Sequence, residues 1–311
     1  MCKEDIKCIE IKNIIKDYGE GRGVFDVSFD VNKGECFGFL GPNGAGKSTT
    51  IRHLMGFSKP DKGEILINSL SVLKNREQIL NSLSYLPGEI ALPKSLTGKE
   101  FLKNQMDLKH VSDDSFLNFL IDYFEFDPSL LCKDMSLGSK RKLAIISCFL
   151  NDPEIIIMDE PSSGLDPEMQ DRFINLIKEE KNRGKTILIS SHIFSEINAV
   201  SDRIGVIKNG KIVSIINSSD LKHNKNKKYN LTFSRIEEFD KFINLKNNRK
   251  YKILNYIKEN KEVLLSINDD DINILIEILS NYKIKDFKEI KTTLEDYFMS
   301  FYEEDKKFMG L

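Results

Sequence analysis

The run Gly41-Pro42-Asn43-Gly44-Ala45-Gly46-Lys47-Ser48 constrains this chain more than any other eight residues. It fits G-x-x-x-x-G-K-[ST], and its flanks fit too. The apolar stretch Phe37 to Leu40 precedes it, and Thr49 to Met55 has helical character after it. In such a strand–loop–helix unit the glycines let the backbone curl into a nest of inward-pointing N–H groups. The helix opens at the same place, and its dipole favours an anion there. Lys47 supplies a mobile cation for the β- and γ-phosphates of a nucleotide, and the Ser48 hydroxyl is a ligand for Mg2+. Gly41, Asn43, Gly44, Ala45, Gly46, Lys47, Ser48 and Thr49 are the expected phosphate-binding residues.

A second feature fits the first. Ile155-Ile156-Ile157-Met158-Asp159-Glu160 is an apolar strand ending in two adjacent carboxylates. The C-terminal tip of a buried strand is where α/β folds place ligands. Asp159 can hold Mg2+ through water, while Glu160, on the other side of the strand, can polarise an attacking water. A strand that meets solvent with two ordinary charges is the plain alternative. A phosphate loop in the same chain favours the chemical reading.

The rest of the first two-thirds alternates short apolar strands with amphipathic helices, an α/β pattern. Val27, Phe29 and Val31 alternate with polar residues as a half-buried strand does. Cys36 to Leu40, Ile155 to Met158 and Ile187 to Ile189 are compact apolar runs, expected as buried parallel strands. Thr97 with Glu100 forms a capping box, Asp166-Pro167 opens a helix, and Gly184 closes it. After Ile216 the composition changes. Residues 217–228 are rich in Ser, Asn and Lys and read as a linker. Its basic run, Lys222 to Lys228, reads as solvated, with contact to anionic lipid as the alternative. Beyond it, a strand around Tyr229, Leu231 and Phe233 precedes a helix around Phe239, Phe242 and Ile243. Strands at Tyr251 to Ile257 and Val263 to Ile267 follow, then a helix with Ile272, Leu275, Ile276 and Leu279, and a strand at Tyr282 to Phe287. The order β-α-β-β-α-β is that of a ferredoxin-like unit. A last helix, capped by Thr292 and Glu295, carries Leu294, Tyr297, Phe298 and Phe301 on one face.

Composition narrows the function classes. The formal charge of -2 argues against a general nucleic-acid binder. The number of cysteines is odd, with no C-x-x-C spacing, which fits a reducing compartment rather than a disulfide framework. No apolar run approaches the roughly 20 residues of a bilayer-spanning helix, so any membrane role is expected to be peripheral. His53, His110 and His223 lack ligand-like neighbours in the sequence and read as surface or packing residues.

Asp159-Glu160-Pro161-Ser162-Ser163-Gly164-Leu165-Asp166-Pro167 resembles the Walker B and D-loop run of ABC-type ATPases. Ser190-Ser191-His192 resembles their switch-histidine loop. Met135-Ser136-Leu137-Gly138-Ser139-Lys140-Arg141 stands where that family carries its Leu-Ser-Gly-Gly-Gln signature. Tyr18, read as lying before the first β-hairpin, resembles the aromatic residue that stacks on adenine. These motifs keep the family order over roughly residues 6 to 215, and no Asn-Lys-x-Asp base-reading motif of a GTPase is present.

The resemblance implies an α/β P-loop NTPase core of RecA type at 1–216. It carries an antiparallel β patch and a helical subdomain at about 98–150. The linker and a small α+β domain at 229–311 follow. It implies MgATP as substrate, Glu160, His192 and Asp166 as catalytic, and Ser136 and Gly138 as contacts to ATP bound by a second chain in a head-to-tail dimer. It also implies a separate membrane permease and a place on the cytoplasmic face of the membrane. Two departures stand out. Leu137 and Ser139 replace a glycine and the glutamine of the signature, so a heterodimer with a related ATPase stands beside the default homodimer. The Q-loop glutamine is missing, and Tyr85-Leu86-Pro87-Gly88-Glu89 puts Gly and Glu in its place. Glu89 is either a ligand of Mg2+ or its water, or a solvated loop charge. The C-terminal unit resembles the tails of bacterial export ATPases that handle drugs, antimicrobial peptides or lipid-linked molecules. An ATPase acting on ribosomes or DNA is the alternative.

Overall fold

The computed structural model describes residues 6–219, 226–244 and 250–290. The chain divides into two compact units between Ser218 and Ser219.

The first unit is organised by a six-stranded sheet. In chain order its strands are β3 (Cys36–Leu40), β6 (Leu83–Leu86), β7 (Ile155–Asp159), β8 (Thr186–Ser191), β9 (Arg203–Lys208) and β10 (Lys211–Asn217). Their spatial order is β10-β9-β3-β8-β7-β6. All neighbours are parallel except β10, which returns antiparallel along β9. Every residue of β3, β7 and β8 is buried, because helices and a second sheet cover both faces. This is why these strands read as unbroken apolar runs. Gly38 of β3 is required by the covering: a Cβ there would stand 2.5 Å from the side chains of both Ile197 and Ser201. The order also brings the loops after β3, β8 and β7 side by side at one edge, although more than a hundred residues separate the first from the others.

The antiparallel patch has the order β2-β1-β4-β5, from β1 (Lys7–Asp17), β2 (Gly23–Asn32), β4 (Lys62–Ile67) and β5 (Leu70–Ser71). Alternate residues of β2 face inward, and Phe29 stacks on Phe37 of β3 with ring centroids 5.0 Å apart. Helices α1 (Lys47–Leu54), α2 (Arg76–Ser82), α6 (Pro167–Asn182) and α7 (Phe194–Val200) belong to this core. The helical stretch holds α3 (Gly98–Leu108), α4 (Ser115–Tyr123) and α5 (Leu137–Phe149). The capping box is formed: Glu100 N donates to Thr97 Oγ1 at 3.2 Å, and Thr97 N donates to Glu100 Oε2 at 2.8 Å. Asp166 caps α6, and Gly184 follows its end at a φ of 86°.

The second unit has four antiparallel strands: β11 (Asn226–Phe233), β12 (Tyr251–Ile257), β13 (Glu262–Asn268) and β14 (Ile284–Ile290). Their order, β12-β13-β11-β14, is the ferredoxin-like arrangement expected from the element sequence. Helices α8 (Ile236–Asn244) and α9 (Ile272–Leu279) supply Phe239, Phe242, Leu275 and Leu279 to a core with Leu231, Phe233, Val263 and Leu265. Two element boundaries differ from the sequence reading. β11 starts at Asn226, inside the stretch read as linker, because Asn226 to Lys228 pair with Asn268 to Ser266 of β13. β14 starts at Ile284 rather than Tyr282 and runs to Ile290, paired with Lys228 of β11. The helix expected after Thr292 lies outside the described residues, as does most of the basic run from Lys222. Among the described residues, no helix is long and apolar enough to cross a membrane.

Candidate functional site: a phosphate loop facing two carboxylates

The phosphate loop closes over itself. Lys47, only 5% exposed, donates to Gly41 O at 2.6 Å and Pro42 O at 3.1 Å. Gly44 has a φ of 79° and Gly46 one of 109°, the left-handed backbone that makes glycine necessary. Gly46 is also the N-cap of α1 and offers no side-chain cap. The first-turn N–H groups of Lys47, Ser48 and Thr49 therefore lack a side-chain acceptor, as an anion site requires. Asn43, Gly44 and Ser48 are exposed around the loop, and Ala45 is buried beneath it.

The loops after β7 and β8 complete the site. Asp159 is buried at the end of β7, in register with Ser190 of β8. The Ser190 hydroxyl donates to Asp159 Oδ1. This bond fixes the carboxylate, and nothing in the sequence pattern announces it. Glu160 follows at a φ of 48°, which a non-glycine residue rarely adopts. The unusual backbone is braced by its N–H, which donates to Ser190 O at 3.1 Å. The turn sends the Glu160 carboxylate toward the phosphate loop. Its Oε1 lies 3.0 Å from Lys47 Nζ, at ion-pair distance but without hydrogen-bond geometry. Its Oε2 lies 2.7 Å from His192 Nδ1. Lys47, Glu160 and His192, drawn from three separate loops, thus form one connected polar network.

Glu196 escaped the sequence reading. It is buried on α7, and its Oε2 accepts from the Ser191 hydroxyl. Ser191 Oγ in turn accepts from Ile193 N at 3.0 Å, so the carboxyl braces the turn that presents His192. Burial pushes the Glu196 carboxyl above its ordinary range, against the bonds from Ser162 and Ser191, which lower it. Burial, aided by the neighbouring Asp159 charge, also pushes the Tyr85 phenol up to about 12.

Other expected residues are arranged differently. Tyr18 lies in the turn of the first hairpin, after β1, and not ahead of it as the sequence reading had it. The ring is 52% exposed and sits under Lys16 Nζ at 5.7 Å. The turn end of that hairpin meets the phosphate loop, since a Cβ on Gly46 would stand 3.0 Å from Val24 Cγ1. Ser136 is the exposed N-cap of α5, accepting from Ser139 N at 3.1 Å. Within this chain it is not part of the Lys47–Glu160–His192 network. Gly138 and Leu137 close against Gly164 of the loop after β7: a Cβ on Gly138 would stand 3.0 Å from Gly164 O, and one on Gly164 2.8 Å from Leu137 Cγ. Asp166 is exposed, and its carboxylate accepts from Met169 N at 3.0 Å. Glu89 is exposed as well. Its neighbour Gly88 is the residue that lies against the acidic pair, with a would-be Cβ 3.1 Å from Asp159 Oδ2.

A phosphate loop, an acidic strand end and a histidine loop on a parallel sheet with an antiparallel patch define a nucleotide-hydrolysing cassette. Comparison with known proteins gives the family. Residues 24–163 match the family model described as ABC transporter. The ABC transporter ATP-binding protein YhcH of Bacillus subtilis (strain 168), itself uncharacterized, is 30% identical over 307 residues, spanning 96% of this chain and 97% of the relative. The bacitracin transport ATP-binding protein BcrA of Bacillus licheniformis is 36% identical over 230 residues, 71% of this chain and 73% of that one. The linearmycin resistance ATP-binding protein LnrL of Bacillus subtilis (strain 168) is 34% identical over 218 residues, 68% of this chain and 70% of that one. Among solved structures, an ATP binding subunit of an ABC transporter superposes with a TM-score of 0.63 at 30% identity, over 70% of this chain and 92% of that chain. The chain belongs to the ATP-binding proteins of ABC transporters and is an ATPase of that family.

Proposed function

We propose that this chain is the MgATP-hydrolysing motor subunit of an ABC exporter, paired head to tail with a second ATPase chain and driving a separate membrane permease. The observation that carries the reading is the convergence of Lys47, Glu160 and His192 beside an uncapped helix start. Gly41, Asn43, Gly44, Ala45, Gly46, Lys47, Ser48 and Thr49 would hold the phosphates, and Tyr18 would stack on the base. Asp159 and Ser48 offer the hard oxygen donors that Mg2+ takes, one or two from protein with the rest from phosphate and water. When bound there, Mg2+ would offset phosphate charge. The exposure of Glu89, against the position of Gly88, favours a solvated charge over a metal ligand.

In the hydrolytic step a water attacks the γ-phosphorus, the bond to the bridging oxygen breaks, and ADP and phosphate leave. Glu160 orients the water and accepts its proton. His192, bonded to the same carboxylate, keeps Glu160 aimed. Lys47 exchanges the Glu160 oxygen for a γ-phosphate oxygen as the nucleotide enters. Asp166 lies at the mouth of α6, where the D-loop of a paired chain would meet it. Ser136 and Gly138, exposed or half-exposed at the start of α5, would face ATP held by the partner.

The relatives' names, bacitracin transport and linearmycin resistance, favour export of an antimicrobial, drug or lipid-like molecule over action on ribosomes or DNA. The permease would hold the chain on the cytoplasmic face of the membrane. Co-purification with an integral membrane protein, and nucleotide-dependent transport by the pair in vesicles, tests the reading. Stable isolation with ribosomes and without a membrane protein would overturn it.

A further inference from the structure

We propose that Arg141 of α5 is a positioning residue that ties this helix to both loops carrying the acidic pair, so that a movement of α5 is transmitted to Asp159 and Glu160. Arg141 is only 3% exposed. Its guanidinium makes three hydrogen bonds, all to main-chain carbonyls: Nε to Ser163 O at 3.0 Å, Nη1 to Pro87 O at 3.1 Å, and Nη2 to Gly88 O at 2.7 Å. Two of these acceptors follow β6 and the third follows β7, strands that run side by side with Leu86 opposite Met158. Each loop leads straight to one carboxylate. Gly88 lies against Asp159, where a Cβ would stand 3.1 Å from Oδ2. Ser163 closes the turn that begins at Glu160, donating its N–H to Glu160 O at 3.2 Å. That turn contains the left-handed backbone that aims the Glu160 side chain.

The chemistry suits arginine and no other side chain. A planar fork with donors on three nitrogens can hold three carbonyls in fixed directions, which an ammonium group cannot. Burial pulls the guanidinium below its ordinary range, and the Asp159 and Glu160 charges oppose that pull. Arg141 also stands five residues after Ser136; Leu137 and Gly138 pack on Gly164 of the loop after β7, and Arg141 adds the bonds that reach the loop after β6. The phosphate loop is not among its bonded partners. Losing Arg141 should misplace the hydrolytic carboxylates and leave ATP capture largely intact.

The inference rests on the site reading above, and the experiment separates the two. In the full chain, kcat and the KM for MgATP are measured for wild type, Arg141→Gln, Arg141→Lys and Glu160→Gln, with thermal midpoints alongside. Arg141→Gln should lower kcat roughly 10- to 100-fold through misplacement, with KM changed by less than about threefold. Arg141→Lys should fall between Gln and wild type, because it keeps the charge but not the fork. If the Gln variant does not fold, the Lys variant carries the same test through its own kcat-to-KM split. A kcat within about twofold of wild type, or a KM that rises in step with the loss of kcat, overturns the inference. If Glu160→Gln itself turns over normally, the site reading has failed; if only Glu160→Gln is slow, this inference alone has failed.

Discussion

Replacing Glu160 with Gln should make the protein bind ATP more tightly while nearly stopping hydrolysis. In the free chain Glu160 Oε1 lies 3.0 Å from Lys47 Nζ. The nucleotide must take that lysine from the carboxylate. At this separation, with an effective dielectric of about 20, the Coulomb attraction is roughly 5 kcal/mol. Desolvation of two largely buried groups offsets most of it, leaving on the order of 1 kcal/mol. Glutamine keeps the shape and removes the competing charge, so the Kd for MgATP should fall by about fivefold. If Glu160 accepts the water proton as proposed, the same change should cost about 10²- to 10⁴-fold in rate. Titration calorimetry gives the first quantity and single-turnover hydrolysis at saturating MgATP the second. Near-normal turnover would refute the role given to Glu160. Weaker ATP binding, with hydrolysis lost, would refute the competition for Lys47.

Lys47→Ala should weaken ATP binding and abolish hydrolysis, and a variant that keeps both would sink the phosphate-loop reading. Tyr18→Ala should raise the Kd by about 0.5–1.5 kcal/mol through lost stacking, while Tyr18→Phe should be nearly silent; equal damage from both would mean that the hydroxyl, not the ring, matters. MgATP should shift the Glu160→Gln chain toward a dimer in sedimentation, and a mixture of Ser136→Arg and Lys47→Ala chains should recover activity that neither has alone, because one of its two sites carries no lesion. A mixture as dead as its components counts against head-to-tail pairing. Because burial raises the Glu196 carboxyl, the native state holds this proton more tightly than the unfolded chain does. Its stabilising contribution is fully present below the unfolded value, about 4.3, and is lost as pH rises through the raised one. Glu196→Gln should therefore gain thermal stability relative to wild type as pH climbs through that window, and a pH-independent difference in melting temperature would refute the assignment.

Features that depend on neighbours along the chain are legible in the sequence. The glycines of residues 41–48, the capping pair Thr97 and Glu100, the Asp166-Pro167 helix start and the apolar runs of β3, β7 and β8 are local signals. They encode backbone conformation and burial within a few residues, so they were legible without coordinates. The order of elements after residue 226 likewise sufficed for a ferredoxin-like sheet, although Asn226 to Lys228 look like linker because their polar side chains say nothing of the β13 backbone groups they pair with. The contacts that depend on the fold lie across strands. Ser190 bonds Asp159 because parallel register sets them opposite each other. Glu160 meets both Lys47 and His192 because the strand order places three distant loops at one edge and a left-handed residue turns the carboxylate between them. Gly88, rather than Glu89, lies against Asp159, and Arg141 bonds carbonyls more than fifty residues upstream and twenty-two downstream. Main-chain carbonyls are present at every position of every sequence, and side-chain hydroxyls at many. Which of them a side chain reaches is settled by packing, at separations along the chain where no periodicity survives.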